Sequence, residues 1–475
     1  MRLDREITDL RKSGRLDEAY RRGKELLNEY PEDTYIRNSF GWVLYEKLKK
    51  IVEEAAKNKS TPKNIFADQL KGILGEYYKL KLDRPDLLFS LLLSQTLRFP
   101  EELKFLPKFM IWAGIDSFRP EDLKISTNAE GKIFESLLEK TARKVGKVSG
   151  ELTREDYSDI HEIQYFAVDF ITYALESKSV QKPEWLIYHK ALLLKNLGKL
   201  DEARNLLISL VQQKRGDFWA WHKLAKVIEA SDSTLALALC AKACLTCKDP
   251  NFGVSVFEDL SRLAASENER KLAKWSAEQA FTIRRNNGWK IPQPLHKLIN
   301  ASWYSETESL LDPQQKLLSL AADAERGIWA NHPKYNANYI GTFFTKNKKR
   351  MVKFGLFFHG EPKEIFSPER GLLNNLSLSF GDPVTVIIDE SRDHPTVVVV
   401  EKRESGHTFD SLPCRTGQFQ LKKGGFGFLD DIYVPHDLAN QLQDGQMFNL
   451  VFVKKLDKKK NRWGLTAIAA IDELS

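Results

Sequence analysis

The chain has 475 residues, 42% of them hydrophobic and 29% charged, with a formal net charge of +7 and four cysteines. That length allows roughly two to four domains with apolar cores of their own, and the composition excludes a disordered or collagen-like polymer. The mild basic excess permits a polyanionic partner without demanding one, and so few cysteines leave no disulfide framework and fit a reducing compartment.

The first residues, MRLDREITDLRKSGRLDE, carry charge from the second position and lack the apolar centre of a signal peptide. The longest apolar run, LLFSLLLSQTL from Leu87, is too short and too interrupted to cross a bilayer. A cytoplasmic protein with no membrane partner is expected.

Two stretches repeat. SGRLDEAYRRGKELLNEYPED (13–33) and LGKLDEARNLLISLVQQKRGD (197–217) align Gly14 with Gly198, Leu16 with Leu200, Asp17 with Asp201, Glu18 with Glu202 and Ala19 with Ala203. Trp185 and Trp219 are 34 residues apart, as are Ala191 and Ala225, and Pro31 and Pro250 stand where a following unit begins. Small residues at this period let paired helices approach closely, and stacked pairs bury what one pair cannot.

This pattern resembles the tetratricopeptide repeat. The resemblance implies TPR-like helices at 1–60, and again at 183–330 as three units followed by a helical linker, forming a solenoid with a face for a protein partner. Between them, 61–182 keeps helical periodicity in DQLKGILGEYYKL, GKIFESLLEKTARKV and IHEIQYFAVDFITYAL, interrupted by Pro85, Pro100, Pro107 and Pro120. It reads as a helical region of degenerate repeats.

Near Asn331 the texture changes to short β-branched and aromatic runs (YIGTFF, KFGLFF, PVTVIID, PTVVVVE, GQFQL, GFGFL, DIYVP, MFNLVFV) broken by Gly, Pro, Asn and Asp. This all-β region is duplicated. Gly341 and Phe343 answer Gly417 and Phe419, Ile365 to Pro368 answer Ile432 to Pro435, and Phe380 to Val384 answer Asp444 to Phe448. Each copy, 331–406 and 407–475, has the size of a small five-stranded oligonucleotide-binding (OB) barrel. The expected fold class is therefore multidomain: an all-α, TPR-like solenoid followed by two small all-β barrels.

The second barrel carries the chemistry. In KKGGFGFLDDIYVPHDL (422–438), strand alternation sends Phe426 and Phe428 to one face, with Gly425 and Gly427 leaving the other side bare. On the next strand Ile432 and Val434 face the core and Tyr433 faces out. Three rings then share a face flanked by Lys422 and Lys423, a platform on which the bases of a single strand stack while lysines neutralise phosphates.

At these residues the sequence is similar to the cold-shock family, whose two motifs read approximately KGFGFI and VFVH. Lys423, Phe426, Gly427 and Phe428 match the first with one glycine inserted, and Tyr433 and Val434 match the second. Pro435 stands where the family has a stacking histidine, as in the cold-shock-like barrels of bacterial exoribonucleases, and His436 comes one position late. The resemblance covers about 412–473 and implies binding of single-stranded RNA or DNA, RNA favoured.

The basic loop KKLDKKKNRW (454–463) adds Lys458, Lys459, Arg462 and Trp463 as candidates, though a charge run between strands equally reads as a solvated hairpin. In the first barrel the equivalents are Lys349 and Arg350 in the NKKR turn, with Lys353, Phe354, Phe357 and Phe366. Apolar neighbours on both sides blur which of these rings face out, and the copy reads either as a second binding surface or as support.

Cys240, Cys244 and Cys247 have a spacing some iron–sulfur sites use, but at i, i+4 and i+7 within LALALCAKACLTCKD they form a helix stripe and read as core packing. The nine histidines form no HExxH pair, and no phosphate-binding loop or nucleophile elbow occurs. No catalytic residue, metal or cofactor is expected. The expected function is a non-enzymatic adaptor that binds single-stranded nucleic acid and a protein, in bacterial regulation, stress response or phage defence. The alternatives are a nuclease or its accessory subunit, with 61–182 as the one place for a degenerate catalytic domain, and a purely protein-binding scaffold.

Overall fold

The computed structural model describes residues 3–471 except 59, 178, 370, 371, 374, 375, 392, 393 and 458–460. Two compact units divide between Gln213 and Lys214, inside the stretch that the repeat pattern joins as 183–330.

The first unit is helical: α1 (Leu3–Lys12), α2 (Leu16–Glu29), α3 (Thr34–Lys57), α4 (Lys63–Lys79), α5 (Leu87–Thr96), α6 (Leu106–Ala113), α7 (Leu137–Glu151), α8 (Ile160–Glu176), α9 (Pro183–Asn196) and α10 (Leu200–Gln213). The repeated glycines end helices. Gly14 after α1 and Gly198 after α9 both adopt φ of 79°, and the next amides, Arg15 and Lys199, reach back to Leu10 and Leu194 carbonyls at 3.0 and 2.8 Å. Only glycine enters that left-handed region without steric cost, which is why the repeat needs it there. The matched alanines, Ala19 and Ala203, are fully buried where helices meet. Buried Glu139 on α7 accepts from the amides of Gln181 and Lys182, both at 2.8 Å, and so caps the start of α9.

Residues 61–182 are not helical throughout. A small antiparallel hairpin, β1 (Ser126–Thr127) and β2 (Ile133–Phe134), precedes α7 because Asn128 accepts from the amides of Glu130 and Lys132 and turns the chain. Pro107 does not interrupt a helix but lies in the first turn of α6, where its missing N–H costs nothing.

The second unit begins with helices: α11 (Phe218–Ile228) packs with α12 (Ser233–Thr246) and α13 (Val254–Ser266) with α14 (Arg270–Asn286), followed by α15 (Gln293–Ile299), α16 (Ser302–Glu306) and α17 (Pro313–Trp329), the last against α12. Cys240 is buried within α12, where burial pushes its thiol pKa up, and Cys247 at the helix end points its sulfur at the Asp249 carbonyl, 3.1 Å away. Glu325 on α17 is buried between Lys242 (2.7 Å) and Arg215 (3.0 Å). Burial raises its carboxyl pKa, but the two cations outweigh that and hold it below its ordinary value.

The β modules follow. The first comprises β3 (Lys334–Phe344), β4 (Arg350–Phe358), β5 (Glu361–Pro368), β6 (Pro383–Asp389) and β7 (Thr396–Lys402), paired in the order β7-β6-β3-β4-β5. The second comprises β8 (Cys414–Gln418), β9 (Gln420–Leu421), β10 (Gly427–Leu429), β11 (Ile432–Val434), the short helix α18 (His436–Ala439), β12 (Met447–Asp457) and β13 (Arg462–Ile471). Here β8 pairs with β12, β12 with β13, β13 with β11 in parallel, β11 with β10, and β10 with β9. Each module keeps a hydrophobic core of its own, and their strands are also hydrogen-bonded to one another. A parallel bridge between Lys363 of β5 and Lys454 of β12 joins them into one eleven-stranded sheet, because β12 is long enough to run past its own module.

Phe419, Leu429, Ile432, Val434, Leu450 and Phe452 form the second module's core. Gly427 is buried within it: a Cβ there would stand 2.2 Å from the Phe419 ring and 2.7 Å from the Gln420 carbonyl oxygen of the neighbouring strand. The inner side of this strand is thus filled by Phe419 rather than left bare.

Gly427→Ala should therefore cost about 1–3 kcal/mol in chemical denaturation, whereas Gly75→Ala on α4, where nothing lies within 4 Å of the new methyl, should be neutral or slightly stabilising. Glu325→Gln should cost about 2 kcal/mol by leaving two partly buried cations without their carboxylate, read as faster hydrogen exchange in α12 and α17. Since the folded-state pKa of Glu325 is depressed, its contribution is complete above the ordinary 4.5 and is lost as pH falls through the lowered value. The difference between wild type and variant should close in that acid range.

Candidate nucleic-acid interface

The aromatic face is built by two short turns. Lys422 to Gly425 form a β-turn in which the Gly425 amide reaches the Lys422 carbonyl (3.2 Å), the Lys422 amide reaches Phe426 (2.8 Å), and Gly424 adopts φ of 115°. The second turn, Asp430-Asp431, has Asp430 at φ 52° and sets the register Leu429↔Ile432, Phe428↔Tyr433, Gly427↔Val434. Leu429, Ile432 and Val434 are buried, so alternation turns Phe428 and Tyr433 to the opposite face.

There the three rings meet. Phe426 lies 5.9 Å from Phe428 and 5.8 Å from Tyr433, and Phe428 lies 5.8 Å from Tyr433, centroid to centroid. Tyr433 is 38% exposed, and Phe426 and Phe428 are half-buried against one another. Lys422 and Lys423 are exposed on the turn beside them, the Lys422 ammonium 3.2 Å from Gln420. Arg415 forms an ion pair with Asp431 in the second turn, which offsets one of its two carboxylates. His436 packs over the glycine turn: a Cβ on Gly425 would meet its ring at 2.5 Å, and its Nδ1 lies 3.1 Å from the Asn440 amide nitrogen.

The other candidates of this module are placed differently. Arg462 and Trp463 are both exposed on β13. Thr466 pairs with Tyr433 and Leu465 with Ile432, so alternation puts Arg462 on the side of the three rings and Trp463 on the side of the core residues, beyond its rim. Lys458 and Lys459 lie outside the described residues.

In the first module the surface differs from its expected form. Phe354 is fully buried, its inward position shared with Val352, Leu356 and Phe358, and it is removed from the candidate surface. The segment KFGLFF is apolar on both sides, and only the pairing of β4 with β3 and β5 decides which side is core. Phe357 and Phe366 do face out, 51% and 46% exposed. They are kept apart by Leu412, which packs over Gly355 between them. Phe366 instead meets Phe343 at 5.6 Å, with the Lys353 ammonium 5.9 Å from the Phe343 ring. The duplication matches Phe343 to Phe419, a core residue of the second module, and so does not place it on the surface; its place in the aromatic run YIGTFF is the available signal. Arg350 pairs with Glu369 (3.1 Å), and Lys349 is exposed in its turn.

The face of β12 that lies alongside the rings is partly covered. Val451, Val453 and Ala469 pack against Ile340, Phe409 and Leu412, so the chain joining the modules occupies that half. It is pinned by buried Asn338, which donates to Asp410 (3.2 Å) and accepts from the Ser411 amide (2.9 Å), and by Arg403 on Asp410 (2.6 Å). The other half, with β10 and β11, remains open.

Two segments match known families. Residues 184–324 match a domain of unknown function, DUF7017, and residues 415–470 match the S1/CSD-like domain 2 of the TOTE conflict systems. Among curated proteins nothing matches. Among solved structures, the human IFIT1 dimer with m7Gppp-AAAA is similar over 68% of this chain and 80% of that chain, at 12% identity and a TM-score of 0.24, too low to carry a fold assignment. Among the described residues no helix is long and apolar enough to cross a membrane. The C-terminal module is S1/CSD-like, and it is the module that displays the three rings.

Proposed function

We propose that this chain is a binding protein that holds single-stranded nucleic acid on its C-terminal module and a protein partner on its helices. The observation that carries this is the contact of Phe426, Phe428 and Tyr433 on one open sheet face beside Lys422 and Lys423. Exposed clustered rings are costly without a partner, and any base offers a π-face to them, at about 1–3 kcal/mol per stacked base. A duplex, whose bases already stack on one another, gains less, and modules of this class recognise RNA in its single-stranded regions. The match of 415–470 to a conflict-system domain supports a place in defence against foreign nucleic acid. Nothing in this reading requires turnover.

Replacing Phe426, Phe428 and Tyr433 together by alanine should weaken binding of an oligouridine by at least about 30-fold, two or more stacking contacts being lost, while thermal unfolding changes little. Wild-type affinity should fall as salt rises, because the turn lysines release counterions. Fluorescence anisotropy with a labelled oligonucleotide reads both, and unchanged affinity in the triple variant would discard the site.

A further inference from the structure

Residues paired across neighbouring strands point the same way, so the outer faces of the two β modules are one surface. From the ring cluster, Tyr433 on β11 pairs with Thr466, and on the next step Lys455 of β12 pairs with Gly464 of β13. Beyond β12 lies β5, joined by the Lys363–Lys454 bridge. The ion pairs show which side is which. Lys455 reaches Glu364 at 3.1 Å and Lys353 reaches the same carboxylate at 3.7 Å, while Lys454 binds Glu361 on the opposite side. Glu364 shares its side of β5 with Phe366, and Phe366 stands opposite Lys353 and against Phe343.

We propose that one strand of nucleic acid spans both modules, its bases stacked on Phe426, Phe428 and Tyr433 at one end and on Phe366 and Phe343 at the other, with its backbone crossing Lys455 and Lys353. This rests on the reading of the C-terminal module as a nucleic-acid site. Three strand spacings separate β11 from β5, about 14 Å at roughly 4.8 Å each, a distance a few nucleotides cover. The floor between is open along one row: Gly464 has nothing within 4 Å of where a side chain would begin. The joining segment covers Val451 and Val453 of β12 and, through Leu412, Gly355 of β4, so the strand passes on the Gly464 and Lys455 side of that cover. Glu364 on this floor already has two ammonium partners, Lys455 and Lys353. Phosphates take the lysines' remaining donors.

The test compares oligouridines of about 4 and about 12 nucleotides, the lower and upper parts of the range for such folds, on the full chain by fluorescence anisotropy. A strand engaging both clusters gains on the order of 100-fold with length. Phe343→Ala with Phe366→Ala should remove most of that gain while leaving the short oligonucleotide unchanged, and Phe366→Tyr, which keeps a ring, should retain it. A gain of tenfold or less in the wild type, which overlapping registers on one cluster supply, overturns the spanning mode, as does a double variant that binds the long strand like the wild type. Persistent binding of the short strand by the Phe426, Phe428 and Tyr433 triple variant overturns instead the underlying assignment of the C-terminal site.

Discussion

The display of aromatic rings depends on a packing constraint on the other side of the strand. Phe419 fills the space that a side chain on Gly427 would need, and Leu429, Ile432 and Val434 complete the same core. With those positions committed inward, the period of two leaves Phe428 and Tyr433 no choice but the outer face. A slip of one residue would bury the rings and expose the core. The tight Asp430-Asp431 turn excludes that slip by setting Phe428 opposite Tyr433.

The same alternation divides the outer face of β12. Val451 and Val453 serve the contact with the joining segment, which Asn338 and Arg403 hold through Asp410, while Lys455 further along the same side, and Lys454 on the opposite side, serve the seam with β5. Burial of Val451 and Val453 gives that contact its hydrophobic gain, while the partly exposed ion pairs around Glu361 and Glu364 chiefly order the lysines. Lys454 holds the Glu361 carboxyl below its ordinary pKa, with Lys363 adding to the effect. The basic run from Lys454 is therefore not one electrostatic patch, since its first two members are engaged in joining modules.

In the helical parts, stacking is held by small residues and by buried charge. Ala19 and Ala203 permit close approach, Glu139 caps α9, and Glu325 ties α17 to α12 through Lys242. Two of the three clustered cysteines follow helix packing, Cys240 in the core of α12 and Cys244 partly buried against the cluster of Phe257 and Ala277. Cys247 lies past the helix end beside Gly253, where a Cβ would meet its sulfur at 2.5 Å. Trp221 is likewise interior, its indole N–H donating to the Arg215 carbonyl at 3.0 Å.

Local pattern sufficed wherever the physics is local. The change from helix to strand after Asn331, the glycines ending α1 and α9, and the outward turn of Phe428 and Tyr433 follow from period, turn chemistry and an alternating core, all written in neighbouring residues. Where a run is apolar on both sides, as in KFGLFF, no period exists to read, and pairing with β3 and β5 alone sends Phe354 in and Phe357 out. The meeting of Phe343 with Phe366, the side of β13 taken by Trp463, the use of Lys454 and Lys455 at the seam, and the fusion of two duplicated modules into one sheet join residues distant in the chain. Only the tertiary structure decides such contacts, because their energies depend on which surfaces are brought together and not on the order of the residues that compose them.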